Sequence, residues 1–278
     1  MDKIIFCDLD DTLLRPETKE ILNEDIQAIQ YWIAKKNSFV LCTARHHTFL
    51  NNIKLLHYNI IFYNFLCQYD FDCIGWNGAE IYMDHKVVCL YPFSNIQFLD
   101  IYKGMYKYKD YAKVTNIDNE YIYGKLSSYT ANMFKKDPNK VIHQTIDEYI
   151  LTDYKPIIHI NYIFPNQQLH KEFYEDYQKN ILDHEKLYQC KVTSDYSYDI
   201  TQKQATKEQG INQYLKINNI PKNNTIAIGD SLNDIGMFEF CHTSFCMTHG
   251  YEEAKQKATY VVDNIKDAID ILESRIEE

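Results

Sequence analysis

The chain has 278 residues, of which 45% are hydrophobic, and this length supports one large or two modest domains. A formal net charge of −10 argues against nucleic acid or an anionic membrane surface as the main partner. The first apolar run is too short for a signal peptide and no window approaches the roughly 18 apolar residues of a spanning helix, so we expect a cytoplasmic protein. Cys7, Cys42 and Cys246 lie inside apolar runs, which indicates small buried side chains rather than a disulfide framework. The eight cysteines form no CxxC pair, which argues against a zinc site.

A short buried strand opens the chain and ends in a cluster of acids. The apolar run is followed directly by Asp8-Leu9-Asp10-Asp11-Thr12. This is the carboxyl end of the strand, where open α/β sheets bind ligands. Asp8 and Asp10 point the same way from an extended segment, and their mutual repulsion requires a shared proton or a cation, for which Mg²⁺ is the obvious candidate. The alternative is an acidic turn in which Asp11 or Thr12 caps a helix that follows.

Helical and strand patterns then alternate along the first part of the chain. Apolar spacing predicts a helix near residues 26–33, a strand over 38–42, a helix near 49–56 and a strand over 73–75. The second strand ends in Thr43-Ala44-Arg45, again with polar residues at a carboxyl end. Strands that alternate with helices in this order predict a parallel sheet with right-handed crossovers.

The middle of the chain has a different pattern. Its strands alternate and are rich in tyrosine, as in Tyr121-Ile122-Tyr123, and they are accompanied by helix patterns near residues 96–108 and 169–181. Alternation of this kind indicates an antiparallel sheet with one covered face. We therefore expect an α+β domain over residues 82–191, inserted into a core formed by residues 1–81 and 192–278.

The last third returns to the opening pattern. Thr206 can start a helix, and the apolar run from Thr225 to Ile228 ends in Gly229-Asp230-Ser231-Leu232-Asn233-Asp234. Three strands thus end in polar clusters, which a parallel sheet gathers at one edge. The expected fold class is α/β, a Rossmann-like parallel sheet with helices on both faces plus the inserted α+β domain.

Four motifs in this order resemble those of the haloacid dehalogenase superfamily. They are Asp8-x-Asp10-x-Thr12, Thr43-Ala44-Arg45, Lys207 and Gly229-Asp230-Ser231-Leu232-Asn233-Asp234. The stretch Ile74-x-x-Asn77-Gly78-Ala79-Glu80-Ile81, followed by the long insertion, looks like the Cof-type sugar-phosphate phosphatases in particular. In that family the insertion is a cap domain that selects the substrate.

The resemblance implies a Mg²⁺-dependent phosphatase that acts on a small phosphorylated metabolite. A sugar phosphate is the leading candidate, and flavin or pyridoxal phosphates are alternatives. Asp8 resembles the nucleophile that forms an aspartyl-phosphate, and Asp10 resembles the general acid/base. The implied phosphate-binding residues are Leu9, Thr43, Ala44 and Lys207. The implied metal ligands are Asp8, Asp10 through its backbone carbonyl, and Asp230, with support from Asn233, Asp234 and Thr12.

Several assignments stay open at this point. Arg45 either contacts the substrate or pairs with a surface carboxylate, and Lys203 competes with Lys207. His249 stands where related sequences carry glycine-asparagine-alanine, so it is either a loop contact near the site or a turn residue. A phosphomutase would use the same acid/base, and a phospho-accepting signalling module or a binding protein with a vestigial site are the alternatives from other classes.

Overall fold

The computed structural model describes residues 3–47, 50, 64–66, 68–118, 121–124, 141–152 and 155–274. The chain divides into two compact units, residues 1–90 with 206–278 and residues 91–205. The helix predicted near residues 49–56 lies almost entirely outside the described residues. Among the helices that are described, none is long and apolar enough to cross a membrane.

The strands of the described residues are short, between three and seven residues each. In chain order they are β1 (Ile4–Cys7), β2 (Ser38–Cys42), β3 (Cys73–Gly75), β4 (Glu80–Met83), β5 (Lys86–Cys89), β6 (Ala112–Asn116), β7 (Tyr121–Tyr123), β8 (Val141–Thr145), β9 (Ile157–Ile163), β10 (Tyr188–Ser194), β11 (Ser197–Gln202), β12 (Thr225–Gly229), β13 (Thr243–Met247) and β14 (Tyr260–Val262).

The described α-helices follow the same chain order. They are α1 (Asn23–Ala34), α2 (Asn95–Gly104), α3 (Ile146–Thr152), α4 (Gln167–Asn180), α5 (His184–Leu187), α6 (Lys207–Asn218), α7 (Ile235–Phe240), α8 (Glu252–Lys255) and α9 (Ile265–Ser274). Short 3-10 turns lie at residues 76–78, 106–111, 222–224 and 232–234.

The first unit contains an eight-stranded sheet in the order β14-β13-β12-β1-β2-β3-β4-β5. The pairs from β14 to β3 are parallel, and β4 and β5 extend the sheet as antiparallel strands. Because the parallel strands share one direction, the segments that follow β1, β2 and β12 leave the sheet at one edge.

Both faces of this sheet are covered, which explains the continuous apolar runs of its central strands. In β1, Ile5 and Cys7 belong to one buried cluster with Trp32 of α1, whereas Ile4 and Phe6 belong to another cluster on the opposite face. Side chains alternate between the faces of a strand, so each apolar run contributes to both cores.

The second unit contains a six-stranded sheet in the order β10-β11-β9-β6-β7-β8. Its pairs are antiparallel apart from β7 and β8, which are parallel. The tyrosine-rich pattern of the sequence supplies part of its core, because Tyr108, Tyr149, Tyr162 and Tyr177 are each about 1% exposed. Aromatic rings bury large apolar areas, so these residues stabilise the unit by packing.

The expected fold class is confirmed, with a mainly parallel α/β sheet and a separate, mainly antiparallel α+β sheet. The chain passes between the two units after residues 90 and 205 rather than after 81 and 191. The predicted boundaries fall too early because the hairpin of β4 and β5 continues the first sheet and because β10 and β11 pair with β9. Helix α2 ends at Gly104, and a 3-10 turn follows where the sequence predicted a longer helix.

Candidate active site

Asp8 and Asp230 leave neighbouring parallel strands at the same edge of the first sheet. The ladder between β1 and β12 continues one step beyond β1, where the Asp8 amide donates to the Ile228 carbonyl at 2.9 Å. Asp8 is 6% exposed and Asp230 is 7% exposed. Burial raises the pKa of the Asp8 carboxyl well above its usual range, while the nearby Lys207 ammonium acts in the opposite direction.

Lys207 is a buried cation at the centre of these acids. Its Nζ lies 2.5 Å from Asp8 Oδ1 and 2.5 Å from Asp234 Oδ1. Burial opposes the charged ammonium, but the Asp234 and Asp8 carboxylates outweigh it and raise the pKa of Lys207. Lys207, rather than Lys203, therefore contacts the motif acids. An ammonium has three donors, and these two contacts leave one of them for a further acceptor.

The start of α6 places Lys207 at this point. Thr206 is the N-cap, and its side chain accepts from the Gln209 amide at 3.4 Å, as the sequence predicted for this helix start. Gly78 has a φ of 98°, and a Cβ on it would lie 2.0 Å from the Thr206 carbonyl oxygen. Only glycine fits there, and this lets the first turn of α6 lie against the turn at residues 76–78.

Asp234 holds the loop after β12 in shape. Its Oδ2 accepts from the amides of Asp230 and Ser231 at 3.0 and 2.9 Å, and its Oδ1 accepts from Lys207. Its side chain is fully buried. A Cβ on Gly229 would lie 2.5 Å from Asp234 Cγ, so the strand end must be glycine for Asp234 to fold back. The sequence assigned Asp234 a supporting role, and these contacts make it the residue that positions Lys207.

Asp8, Asp230 and Asp234 form a group whose carboxylate oxygens lie within 4.8 Å of one another. Thr12 donates to Asp230 Oδ1 at 2.8 Å, and burial raises the pKa of Asp230 to about 6 despite that hydrogen bond. Three buried carboxylates outnumber the single Lys207 ammonium. The carboxylate oxygens are hard ligands, which suit Mg²⁺ and can hold it. Both oxygens of Asp234 already accept hydrogen bonds. Asp8 and Asp230 are therefore the side chains most open to a cation.

Asp10 and Arg45 form an ion pair through two contacts. Arg45 Nε lies 2.7 Å from Asp10 Oδ2, and Nη2 lies 2.5 Å from Oδ1. Each side chain is about one-third exposed. Of the two roles left open for Arg45, the structure shows pairing with a carboxylate. That carboxylate belongs to Asp10, the predicted acid/base. The parallel register of Cys7 with Leu41 brings the residues beyond the two strand ends together.

The remaining predicted phosphate-binding residues follow β1 and β2. Thr43 is 1% exposed, and its Oγ1 accepts from the Arg45 amide at 3.1 Å. That contact uses a lone pair and leaves the hydroxyl proton to donate elsewhere. Ala44 is half-buried between these two residues, and the Leu9 side chain is fully buried in the core. Only the backbone of Leu9 is therefore suited to contact a phosphate.

Asn77 connects two of the motif segments and was not assigned a role from the sequence. It has a φ of 53°, its amide donates to the Thr43 carbonyl at 3.0 Å, and its Oδ1 accepts from Asn233 Nδ2 at 3.0 Å. The Asn77-Gly78 turn signal was visible, but its partner lies 156 residues away. Asn233 thus supports the site through Asn77.

His249 and Asp11 lie at the rim of the acidic loop. His249 Nε2 lies 2.6 Å from the Asp11 carbonyl oxygen, so that nitrogen carries the proton. Asp11 has a φ of 63° and pairs with Lys19. The helix-cap alternative for Asp11 and Thr12 is wrong, because α1 begins only at Asn23. His249 lies in a turn after β13 and also contacts the acidic loop, through the backbone of Asp11, so both of the roles left open for it apply.

The first unit is thus an α/β fold with a parallel sheet, whose strand ends gather three carboxylates around a buried lysine. The sequence profile of haloacid dehalogenase-like hydrolases matches residues 5–269. The chain therefore belongs to the haloacid dehalogenase-like hydrolase family, and the resemblance stated from its motifs is confirmed.

Individual relatives are distant. Pyridoxal phosphate phosphatase YbhA of Escherichia coli is 22% identical over 96% of both chains. Phosphoglycolate phosphatase of Nitrosopumilus maritimus is 29% identical over 119 residues, and the alignment spans only 52% of that protein. A solved structure from Thermotoga maritima has a TM-score of 0.78 at 19% identity and covers 99% of this chain and 97% of its own. A sugar phosphatase of subclass IIB has a TM-score of 0.72 at 20% identity and covers 97% and 98%.

Proposed function

We propose that this chain is a Mg²⁺-dependent phosphomonoesterase that hydrolyses a small phosphorylated metabolite. The observation that carries the proposal is the buried Asp8 carboxylate, 2.5 Å from the Lys207 ammonium, beside Asp230 and Asp234 at the carboxyl ends of parallel strands. A carboxylate in that position is an established type of covalent nucleophile in phosphoryl transfer.

The first step is attack of an Asp8 oxygen on phosphorus, in line with the departing alcohol. The bond from phosphorus to the alcohol oxygen breaks, an aspartyl-phosphate forms, and Asp10 gives a proton to the alcohol. In the second step Asp10 takes a proton from water, which attacks phosphorus, releases inorganic phosphate and restores Asp8. A protonated Asp10 oxygen is a hydrogen-bond donor, and Arg45 offers only donors. We therefore expect that the protonated oxygen does not keep its contact with Arg45.

The phosphate oxygens require positive charge and hydrogen-bond donors. The third donor of Lys207, the Thr43 hydroxyl and the backbone amides of Ala44 and Leu9 are the groups proposed for this task. Mg²⁺ would be held by the carboxylates of Asp8 and Asp230 and by the Asp10 backbone carbonyl, where it would neutralise charge on the phosphoryl group. Asp234, Asn233 and Thr12 would keep these residues in position.

We further propose that the unit at residues 91–205 selects the leaving group. The predicted catalytic residues all lie in the other unit, which leaves the inserted unit free for substrate choice. A sugar phosphate remains the leading candidate, since one relative is a sugar phosphatase, and pyridoxal phosphate is the alternative suggested by the full-length relative.

The test is Mg²⁺-dependent hydrolysis of p-nitrophenyl phosphate, followed by a screen of phosphorylated metabolites with release of inorganic phosphate as the readout. Asp8→Asn should abolish turnover, whereas Asp11→Asn changes a side chain of the same loop that is 41% exposed and should leave turnover within about twofold. Turnover by Asp8→Asn at the wild-type rate would refute the nucleophile. Phosphate transfer to a second sugar, without release, would identify a phosphomutase instead.

A further inference from the structure

A second cluster of ionisable side chains lies outside the carboxylate group, directly after the Thr43-Ala44-Arg45 segment. It consists of His46, His47 and Glu80, which we call the His–Glu cluster. The three residues are 7%, 5% and 0% exposed. One ligand atom from each lies within 4.8 Å of the others.

The two carboxylate oxygens of Glu80 have different surroundings. Oε1 accepts from the His47 amide at 2.8 Å and lies 3.1 Å from His47 Nδ1. Oε2 is inaccessible to solvent, and no group among the described residues hydrogen-bonds to it. His46 Nε2 lies 3.4 Å from Oε2, beyond the usual hydrogen-bond distance. A buried carboxylate oxygen that accepts no hydrogen bond is costly, and a bound cation relieves that cost.

The spacing suits a tetrahedral metal ion. Zn²⁺ binds nitrogen and oxygen ligands at about 2.0–2.2 Å, which places adjacent ligand atoms of a tetrahedron roughly 3.3 Å apart. The separation of 3.4 Å between His46 Nε2 and Glu80 Oε2 corresponds to such an edge.

We propose that His46, His47 and Glu80 form a second metal site, selective for a borderline ion such as Zn²⁺. Two imidazoles and one carboxylate favour Zn²⁺, whereas the all-oxygen group around Asp8 and Asp230 favours Mg²⁺. The sequence argument against zinc concerned cysteine pairs, and this site uses no cysteine.

The site joins two segments that the sheet does not join directly. His46 and His47 follow β2, Glu80 is the first residue of β4, and β3 lies between these strands. A Cβ on Gly75, the last residue of β3, would lie 2.4 Å from Glu80 Oε1 and 3.0 Å from the Arg45 carbonyl oxygen, so glycine makes the approach possible. A bound ion would therefore fix the segment that carries Thr43 and Arg45.

The experiment uses the full chain, freed of metal with a chelator, in excess Mg²⁺. Zn²⁺ is titrated in competition with a chromophoric chelator, in the background of Asp230→Asn, which weakens the carboxylate group. We expect one bound Zn²⁺ per chain. Adding His47→Gln or Glu80→Gln should weaken binding by more than the roughly 10–100-fold that loss of an outer partner costs.

The matched control is His85→Gln. His85 also lies beside a carboxylate, 3.0 Å from Asp70 Oδ2, but the two side chains are 76% and 58% exposed. Its substitution should leave Zn²⁺ affinity unchanged. Absence of stoichiometric Zn²⁺ binding, or equal binding by the His47→Gln and His85→Gln proteins, would overturn the proposal and leave a His–Glu ion pair only.

A second measurement needs no variant and covers the case in which a substitution prevents folding. X-ray absorption at the zinc edge of the unmodified protein, loaded with one Zn²⁺ in excess Mg²⁺, should show scattering from two imidazole rings. An all-oxygen coordination shell would refute the site.

Discussion

Asp234→Asn tests whether one buried carboxylate organises the candidate site. Asp234 accepts from Lys207 through Oδ1 and from the amides of Asp230 and Ser231 through Oδ2. Every partner is a donor, and an asparagine side chain has only one acceptor oxygen. If that oxygen faces Lys207, the backbone amides of Asp230 and Ser231 face an NH₂ group and have no acceptor. If it faces the two amides, the NH₂ group faces the Lys207 ammonium, and neither group offers an acceptor.

The expected loss follows from burial. The side chains of Lys207 and Asp234 are fully buried, and breaking a buried ion pair by removing one partner costs about 3–5 kcal/mol. Lys207 retains Asp8 at 2.5 Å, so we expect the lower end, about 3 kcal/mol in the free energy of unfolding. Because Lys207 would then be held from one side only, turnover should fall as well.

Urea denaturation followed by tryptophan fluorescence is the appropriate assay. Both tryptophans of the chain, Trp32 and Trp76, belong to the first unit, so the signal reports that unit. The control is Asp11→Asn, which removes a surface ion pair whose side chains are 47% and 41% exposed and should cost less than about 1 kcal/mol. If Asp234→Asn unfolds within about 1 kcal/mol of the wild type, the role assigned to Asp234 is refuted.

Two further predictions concern other buried polar groups. Burial raises the pKa of Asp25 to about 6 from an ordinary 3.8, so the folded state holds a proton that the unfolded state releases, and stability falls as pH rises from about 4 to 6. Asp25→Asn keeps an acceptor for the Lys266 amide but cannot titrate, so the free energy of unfolding should fall by about 3 kcal/mol less between pH 4 and pH 7 than in the wild type. Urea denaturation at the two pH values measures this, and an equal fall in both proteins would contradict the prediction. Thr12→Val removes the hydroxyl that donates to Asp230 and should raise the Mg²⁺ concentration for half-maximal turnover about 10–100-fold. Thr12→Ser keeps the hydroxyl and is the control. An unchanged Mg²⁺ concentration for Thr12→Val would exclude the role of Thr12 in positioning Asp230.

The sequence was sufficient to predict the succession of strands and helices in the first unit and the sheet edge at which its polar clusters meet. Strand β1 is an uninterrupted apolar run because both faces are buried, and its end is marked by Asp8. Periodicity is a local signal, so it also predicted α4 to within two residues at its start. The start of α6 followed from Thr206, whose capping role depends on residues within one turn.

Contacts between distant segments could not be predicted in the same way. Asn77 and Asn233 are 156 residues apart, and their hydrogen bond depends on how two loops fold after their strands end. The Asp10–Arg45 ion pair depends on parallel register, which apolar strands specify only weakly by themselves. The unit boundaries depend on which sheet a hairpin extends, and alternating strands such as β4 and β10 fit either sheet.

The charges around Asp8 give a physical reason for the Mg²⁺ dependence that we propose. Asp8, Asp230 and Asp234 face one ammonium, that of Lys207, while Asp10 and Arg45 neutralise each other. The group therefore carries two excess negative charges when fully ionised, and burial makes those charges expensive, as the raised pKa values of Asp8 and Asp230 indicate. A phosphate monoester brings two more negative charges and would be repelled by the group alone. In the proposed mechanism, one Mg²⁺ held by Asp8 and Asp230 would offset this excess, favour the ionised form of Asp8 and attract the phosphate.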